Sequence, residues 1–177
     1  MAKNVPIKLN PADLLWQSKN GLYTVVLTSD CLHKIQEIAQ KAYPNEVGSM
    51  LLGHYSFDGY MALITETLPV PKDSCCSKGN FSRGAKGVWN KLLSIFKTSH
   101  GKQHYIGEWH SHPNGSPHPS SLDDKILKKI ATDIKVGCPE MVLMIIGRRY
   151  LQNRDIGMYV YSKTNGRIDL DQIPISK

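Results

Sequence analysis

No run of about 18 apolar residues occurs in the chain, so nothing in it reads as a membrane-spanning helix and no membrane partner is expected. The opening residues, Met1-Ala2-Lys3-Asn4-Val5-Pro6, lack the apolar stretch of a secretory signal. Cysteine is sparse. Cys31, Cys75, Cys76 and Cys138 form no C-x-x-C pair, and the adjacent Cys75 and Cys76 cannot easily chelate one ion together. Reduced thiols and a cytoplasmic location are the expectation; an accessory zinc site at Cys75 or Cys76 is the alternative to free loop thiols. There is no Gly-rich phosphate loop, no RNA-binding signature, no internal repeat and no low-complexity segment.

What is present fits one ordinary globular domain. A chain of 177 residues, 41% apolar and 21% charged, can bury a sizeable core but is too short to expect two domains. Its net charge of +7 suggests an acidic or polyanionic partner. The basic residues are scattered, however, with short clusters only at Lys125-Lys128-Lys129 and Arg148-Arg149. A solvated basic surface is the simpler reading, and nucleic acid is not expected.

Hydrophobic patterning divides the chain into α and β segments. Residues 1 to 20 read as an extension in which Leu14, Leu15 and Trp16 offer a docking anchor. Leu22 to Thr28 is rich in strand formers, and Ser29 and Asp30 bring N-cap chemistry to a helix spaced by Leu32, Ile35, Ile38, Ala39 and Ala42. Gly48 to Tyr55 and Tyr60 to Leu68 read as a hairpin, followed by a loop over 70 to 84. Val88, Leu92, Ile95 and Phe96, with Trp89 and Leu93 beside them, predict a second helix packed in the core. His104 to Trp109 is a strand, and Ser120 or Ser121 caps a third helix buried through Ile126, Leu127, Ile130 and Ile134. Met141 to Ile146 has the near-continuous apolarity of a strand buried on both faces. Gly147-Arg148-Arg149-Tyr150 leads into a loop, Ile156 to Tyr161 is a strand, and Asn165-Gly166 turns toward a short one near Ile168. The expected class is α/β: a mixed sheet flanked by helices.

One stretch carries chemistry, Trp109 to Asp124, W-H-S-H-P-N-G-S-P-H-P-S-S-L-D-D. His110 and His112 lie one residue apart on an extended segment, so their rings share a side. Asp123, after ten intervening residues and just inside a helix, can return as a third ligand. Two imidazoles and a carboxylate suit Zn²⁺ and leave a fourth position for water, as in catalytic sites. Alone, an H-x-H pair is more often solvated or satisfied by ordinary hydrogen bonds. Glu46, read alone, is a surface carboxylate at a helix-to-strand turn; Ser120 is a helix cap; Asp124 is a solvated first-turn acid; His118 is a loop residue.

Together with Glu46, the run His110-Ser111-His112-Pro113, six residues, Ser120, two residues and Asp123 resembles the signature of the JAMM (JAB/MPN+) metalloproteases without a gap. The resemblance spans roughly residues 20 to 165 and is nearer to stand-alone bacterial JAB proteins than to proteasome-type subunits. It implies a cytidine-deaminase-like domain at 21 to 165, with a C-terminal tail at 166 to 177. It implies zinc on His110, His112 and Asp123, proton transfer by Glu46, and oxyanion stabilisation by Ser120. An insertion at 70 to 84 would grip the substrate's tail, with Phe81 and Arg83, and His118 from its own loop, as candidate contacts. The implied substrate is the bond after the C-terminal glycine of a ubiquitin-like protein or its conjugate. The implied setting is bacterial antiviral defence, with E1- or E2-like enzymes or a CD-NTase encoded alongside. Processing of a sulfur-carrier protein is the alternative, and a catalytically silent scaffold is the reading from another class.

Overall fold

The segment expected to lie outside the domain closes it. In the computed structural model, which describes residues 10–138, 140–148 and 155–175, strand β1 (Leu14–Ser18) pairs on one edge with β2 (Thr24–Leu27) and on the other with β10 (Gly166–Ile173). This double pairing closes the expected mixed sheet into an eight-stranded barrel of order β1-β10-β9-β8-β7-β3-β4-β2. The remaining staves are β3 (Gly48–Tyr55), β4 (Met61–Thr67), β7 (His104–Ser111), β8 (Glu140–Ile146) and β9 (Ile156–Ser162). Parallel pairing of β2 with β4 and of β7 with β8 makes the sheet mixed, as expected; the helix-flanked sheet is corrected to a barrel. Trp16 is a core residue, 1% exposed, rather than a docking anchor. Trp16→Ala is expected to cost about 3–5 kcal/mol of stability, read from denaturant unfolding, because it removes a large buried ring from the closing strand. Met1 to Pro6, Arg149 and Tyr150 lie outside the described residues.

Alternation along β8 distributes the core. Val142, Met144 and Ile146 join the cluster that includes Leu27, Leu51, Ile64 and Trp109, against helix α1 (Ser29–Ala42). Met141, Leu143 and Ile145 join the opposite cluster, with Leu127 and Ala131 of helix α3 (Ser121–Thr132). Thr28, rather than Ser29 or Asp30, caps α1, its hydroxyl accepting from the Cys31 N–H.

Two helices differ from their expected packing. The buried residues of α3 are Leu127 and Ala131, while Ile126 and Ile134 are exposed; Ile134 lies past the helix end, off its wheel. Helix α2 (Val88–Thr98) buries no residue fully: Val88, Leu92 and Ile95 rest partly covered on Met50, Leu52 and Leu68, and Trp89 stands 73% exposed. The loop at 70 to 84 folds as a small hairpin of β5 (Cys75–Ser77) and β6 (Asn80–Ser82), with both cysteines exposed and unpaired.

Candidate metal centre

Strand β7 ends beside the start of β3, and this junction assembles the site. Gly48 lies opposite His110 in the β3–β7 ladder. Ser111, whose side chain points away from its histidine neighbours as strand alternation requires, accepts at Oγ from the Val47 N–H (3.1 Å) and donates its own N–H to the Val47 carbonyl (2.8 Å). The residue following Glu46 is thus fastened to the residue between the two histidines. Gly48 permits the approach: a Cβ there would meet the Trp109 carbonyl at 2.2 Å and His110 Cβ at 2.8 Å. Ser111→Ala leaves the Val47 N–H without its buried partner and is expected to cost about 1–3 kcal/mol in chemical denaturation.

The three expected ligands converge. Ligand atoms of His110, His112 and Asp123 all lie within 4.8 Å of one another. The two Nε2 atoms are 3.0 Å apart, and His110 Nε2 is 3.7 Å from Asp123 Oδ1. Donors around a tetrahedral Zn²⁺ with bonds near 2.0–2.1 Å are separated by about 3.3 Å, so the set is the right size. Proton placement agrees. His112 Nδ1 lies 2.9 Å from the Ser116 carbonyl, which can only accept, so Nδ1 donates there and Nε2 is the nitrogen turned toward His110. Burial pushes the His110 imidazole down to about 4, against the pull of Asp123, leaving it neutral at pH 7. Asp123 divides its oxygens. Oδ2 accepts from the Ser120 N–H (2.7 Å) and hydroxyl (2.6 Å), which orients the carboxylate and leaves Oδ1 toward the histidines. The residues present therefore fit a zinc ion.

Glu46 and His112 share one cleft of about 300 Å³, completed by Lys78 and Gly79 at the hairpin tip and by Pro113, Asn114 and Gly115. The Glu46 N–H donates to the Ser77 carbonyl (2.8 Å), so the β5–β6 hairpin docks directly on this residue. Partial burial raises the Glu46 carboxyl above its usual range, with His112 lowering it and Asp123 raising it further. Ser120 is the cap of α3 in a reciprocal box with Asp123, as its simplest reading held. Phe81 is half-buried over Gly48, its Cε1 2.7 Å from where a Cβ would stand. His118 is exposed on its loop, Nδ1 3.2 Å from the Tyr159 hydroxyl.

Other partnerships were not visible in the sequence. Arg83 does not line the cleft; its Nε donates to Glu108 Oε2 (2.9 Å), and Tyr105 donates to Oε1 of the same carboxylate (2.7 Å). Asp124, expected to be solvated, accepts from the Tyr161 hydroxyl (2.6 Å) and from Arg167, tying α3 to β9 and β10. A carboxylate adjacent to Asp123 gives no sequence signal of such distant partners.

Residues 28–159 match the family model described as prokaryotic homologs of the JAB domain. The chain is 35% identical over 147 residues to a protein of Enterobacter hormaechei subsp. hoffmannii named CD-NTase/cGAS isopeptidase, covering 83% of this chain and 80% of that one. An Escherichia coli protein of the same name is 29% identical, over 71% of this chain and 77% of its own length. A probable metalloprotease, y4qB, of Sinorhizobium fredii is 26% identical over 61% of this chain and 66% of that protein. Among solved structures, protein DSY2949 of Desulfitobacterium hafniense shares the fold, with a TM-score of 0.56 at 23% identity over 85% of this chain and 90% of that one. The family match over most of the chain agrees with the ligand geometry at the β3–β7 junction: this protein belongs to the prokaryotic JAB family.

Proposed function

We propose that the protein is a zinc-dependent isopeptidase that hydrolyses the bond following the C-terminal glycine of a ubiquitin-like protein or of its conjugate. The observation that carries this reading is the meeting of His110, His112 and Asp123 beside a cleft that Glu46 also lines. The isopeptidase and metalloprotease names of the relatives support it, and the CD-NTase in those names favours deconjugation in bacterial antiviral defence.

In this mechanism His110 and His112, through Nε2, and Asp123, through Oδ1, would hold the ion. When bound, zinc supplies Lewis acidity and a lowered water pKa. Glu46 accepts the proton of the water whose oxygen attacks the carbonyl carbon, then delivers it to the lysine nitrogen as the carbon–nitrogen bond breaks. A carboxyl raised by partial burial suits both halves of that transfer. Ser120 is the proposed donor to the developing oxyanion. Its single hydroxyl proton is held by Asp123 Oδ2, so it must turn from that oxygen to reach the substrate. Ser120→Ala is expected to lower turnover about 10²–10³-fold and stability by about 1 kcal/mol, measured by kinetics and thermal unfolding on one preparation. Phe81, Arg83 and His118 are the proposed contacts for the substrate's tail; Arg83 also steadies the hairpin through Glu108.

The test is cleavage of a ubiquitin-like protein joined through its terminal glycine to a lysine side chain. Cleavage abolished by chelation and restored by zinc supports the reading. Zinc-loaded protein inert toward such conjugates but active on a linear sulfur-carrier extension would move the assignment to that substrate. One inert toward both, with all five motif residues intact, would make it a scaffold.

A further inference from the structure

Helix α2 leaves an apolar groove that the proposed reaction does not use. The groove holds about 700 Å³ and is separate from the metal cleft. Met50 and Leu52 of β3 and Tyr105 of β7 line it, α2 forms one wall through Trp89, Leu93 and Phe96, and Ile130 and Val136 stand in the other. Trp89 and Phe96 are 73% and 48% exposed, and with Leu93 they form an i, i+4, i+7 stripe, a continuous apolar strip that a monomer does not need for its own core.

Charge identifies what fits it. Lys135 lines the groove, Lys91 and Lys97 project from α2, and Lys86 and Lys102 flank that helix, which contains no acidic residue. Among the described acids nearby, only Glu108 is paired with a cation, and Lys86, Lys91, Lys97, Lys102 and Lys135 outnumber Asp73 and Asp133, which keep their charge. Glu108 is held by Arg83 and Tyr105, Asp73 accepts the Ala85 and Lys86 N–H groups, and Asp133 accepts the Lys135 N–H. A second copy is disfavoured, since pairing this groove with its equal would set lysine against lysine in a chain of net charge +7. A lipid surface is flat and cannot reach Met50, Leu52 and Tyr105 behind the walls. A helix laying one apolar face into a groove can.

We propose that this groove docks an amphipathic helix of a protein partner, apolar on the inserted face and acidic along its flanks. Docking is independent of the metal and of the reaction.

The experiment titrates the full chain into a fluorescein-labelled helical peptide of about 18 residues, with leucines at i, i+3, i+4 and i+7 and glutamates between them. Two comparison peptides carry lysine for glutamate, or the same residues scrambled. Saturable binding of the acidic helix alone, weakening with salt, is the expected result. Trp89→Ala is expected to weaken it about tenfold or more, and Lys91→Glu with Lys97→Glu to do the same. Both sites are exposed, so folding is retained and is checked by circular dichroism. Equal binding of all three peptides, no binding of any, or binding unchanged by both variants overturns the proposal. So does dimerisation in sedimentation, or binding to phosphatidylglycerol vesicles, that Trp89→Ala abolishes while the acidic helix fails to bind.

Discussion

Glu46→Gln is expected to lower hydrolysis about 10²–10⁴-fold while the zinc content of the protein stays unchanged. The substitution keeps the shape of the side chain and removes its capacity to take a proton. None of the three ligand atoms is altered, because Glu46 stands outside the set formed by His110, His112 and Asp123. Stability is expected to hold or rise. Burial disfavours the Glu46 charge, and an amide at that position does not carry the same desolvation cost. Kinetics and metal analysis on one sample check both halves. Activity near the parent's in a zinc-loaded Glu46→Gln protein would remove Glu46 from the proton path.

Asp123 gives the second large effect, because it serves two structures at once. Through Oδ1 it faces the histidines, and through Oδ2 it closes the N-terminal box of α3 with Ser120. Asp123→Ala is expected to weaken zinc binding by more than about 100-fold, since loss of a direct ligand exceeds the usual 10–100-fold cost of losing an outer-shell partner. Turnover is expected to fall to background. Asp123→Asn separates the two roles. Its side-chain carbonyl can still accept from Ser120, so the metal-free protein is expected to keep the stability of about 1 kcal/mol that alanine forfeits, while zinc is lost all the same. Zinc at 100 times its Kd adds about 2.7 kcal/mol to the parent. Thermal unfolding with and without zinc is therefore expected to show a shift in the parent and none in either variant.

The convergence of His110, His112 and Asp123 was legible because local geometry governs much of it. Strand alternation places His110 and His112 together whatever surrounds them, and Ser120 and Asp123 form a box across one helical turn. The strand at Met141 to Ile146 was legible for a similar reason, since apolarity without alternation has few other outcomes. Barrel closure was not. Leu15 pairs with Ile173 across nearly the whole chain, and no periodicity in either segment encodes its partner. Trp16 therefore read as an anchor for something external.

Helix α2 shows a different limit. Its amphipathic pattern fixes which residues share a face but not how much of the face the sheet covers, and here Trp89 and Phe96 stay open. The same limit misassigned Ile126 and Ile134 in and beyond α3. Arg83 lies in the inserted loop, and only the fold reveals the buried Glu108 that pairs with it.

An anomalous difference map at the zinc absorption edge, from crystals of the full chain grown with zinc, tests the metal site most directly. One peak within bonding distance of His110 Nε2, His112 Nε2 and an Asp123 oxygen, about 2.0–2.2 Å from each, is the expected result. A map with no peak among these three side chains, or with zinc held elsewhere on the chain, would contradict it.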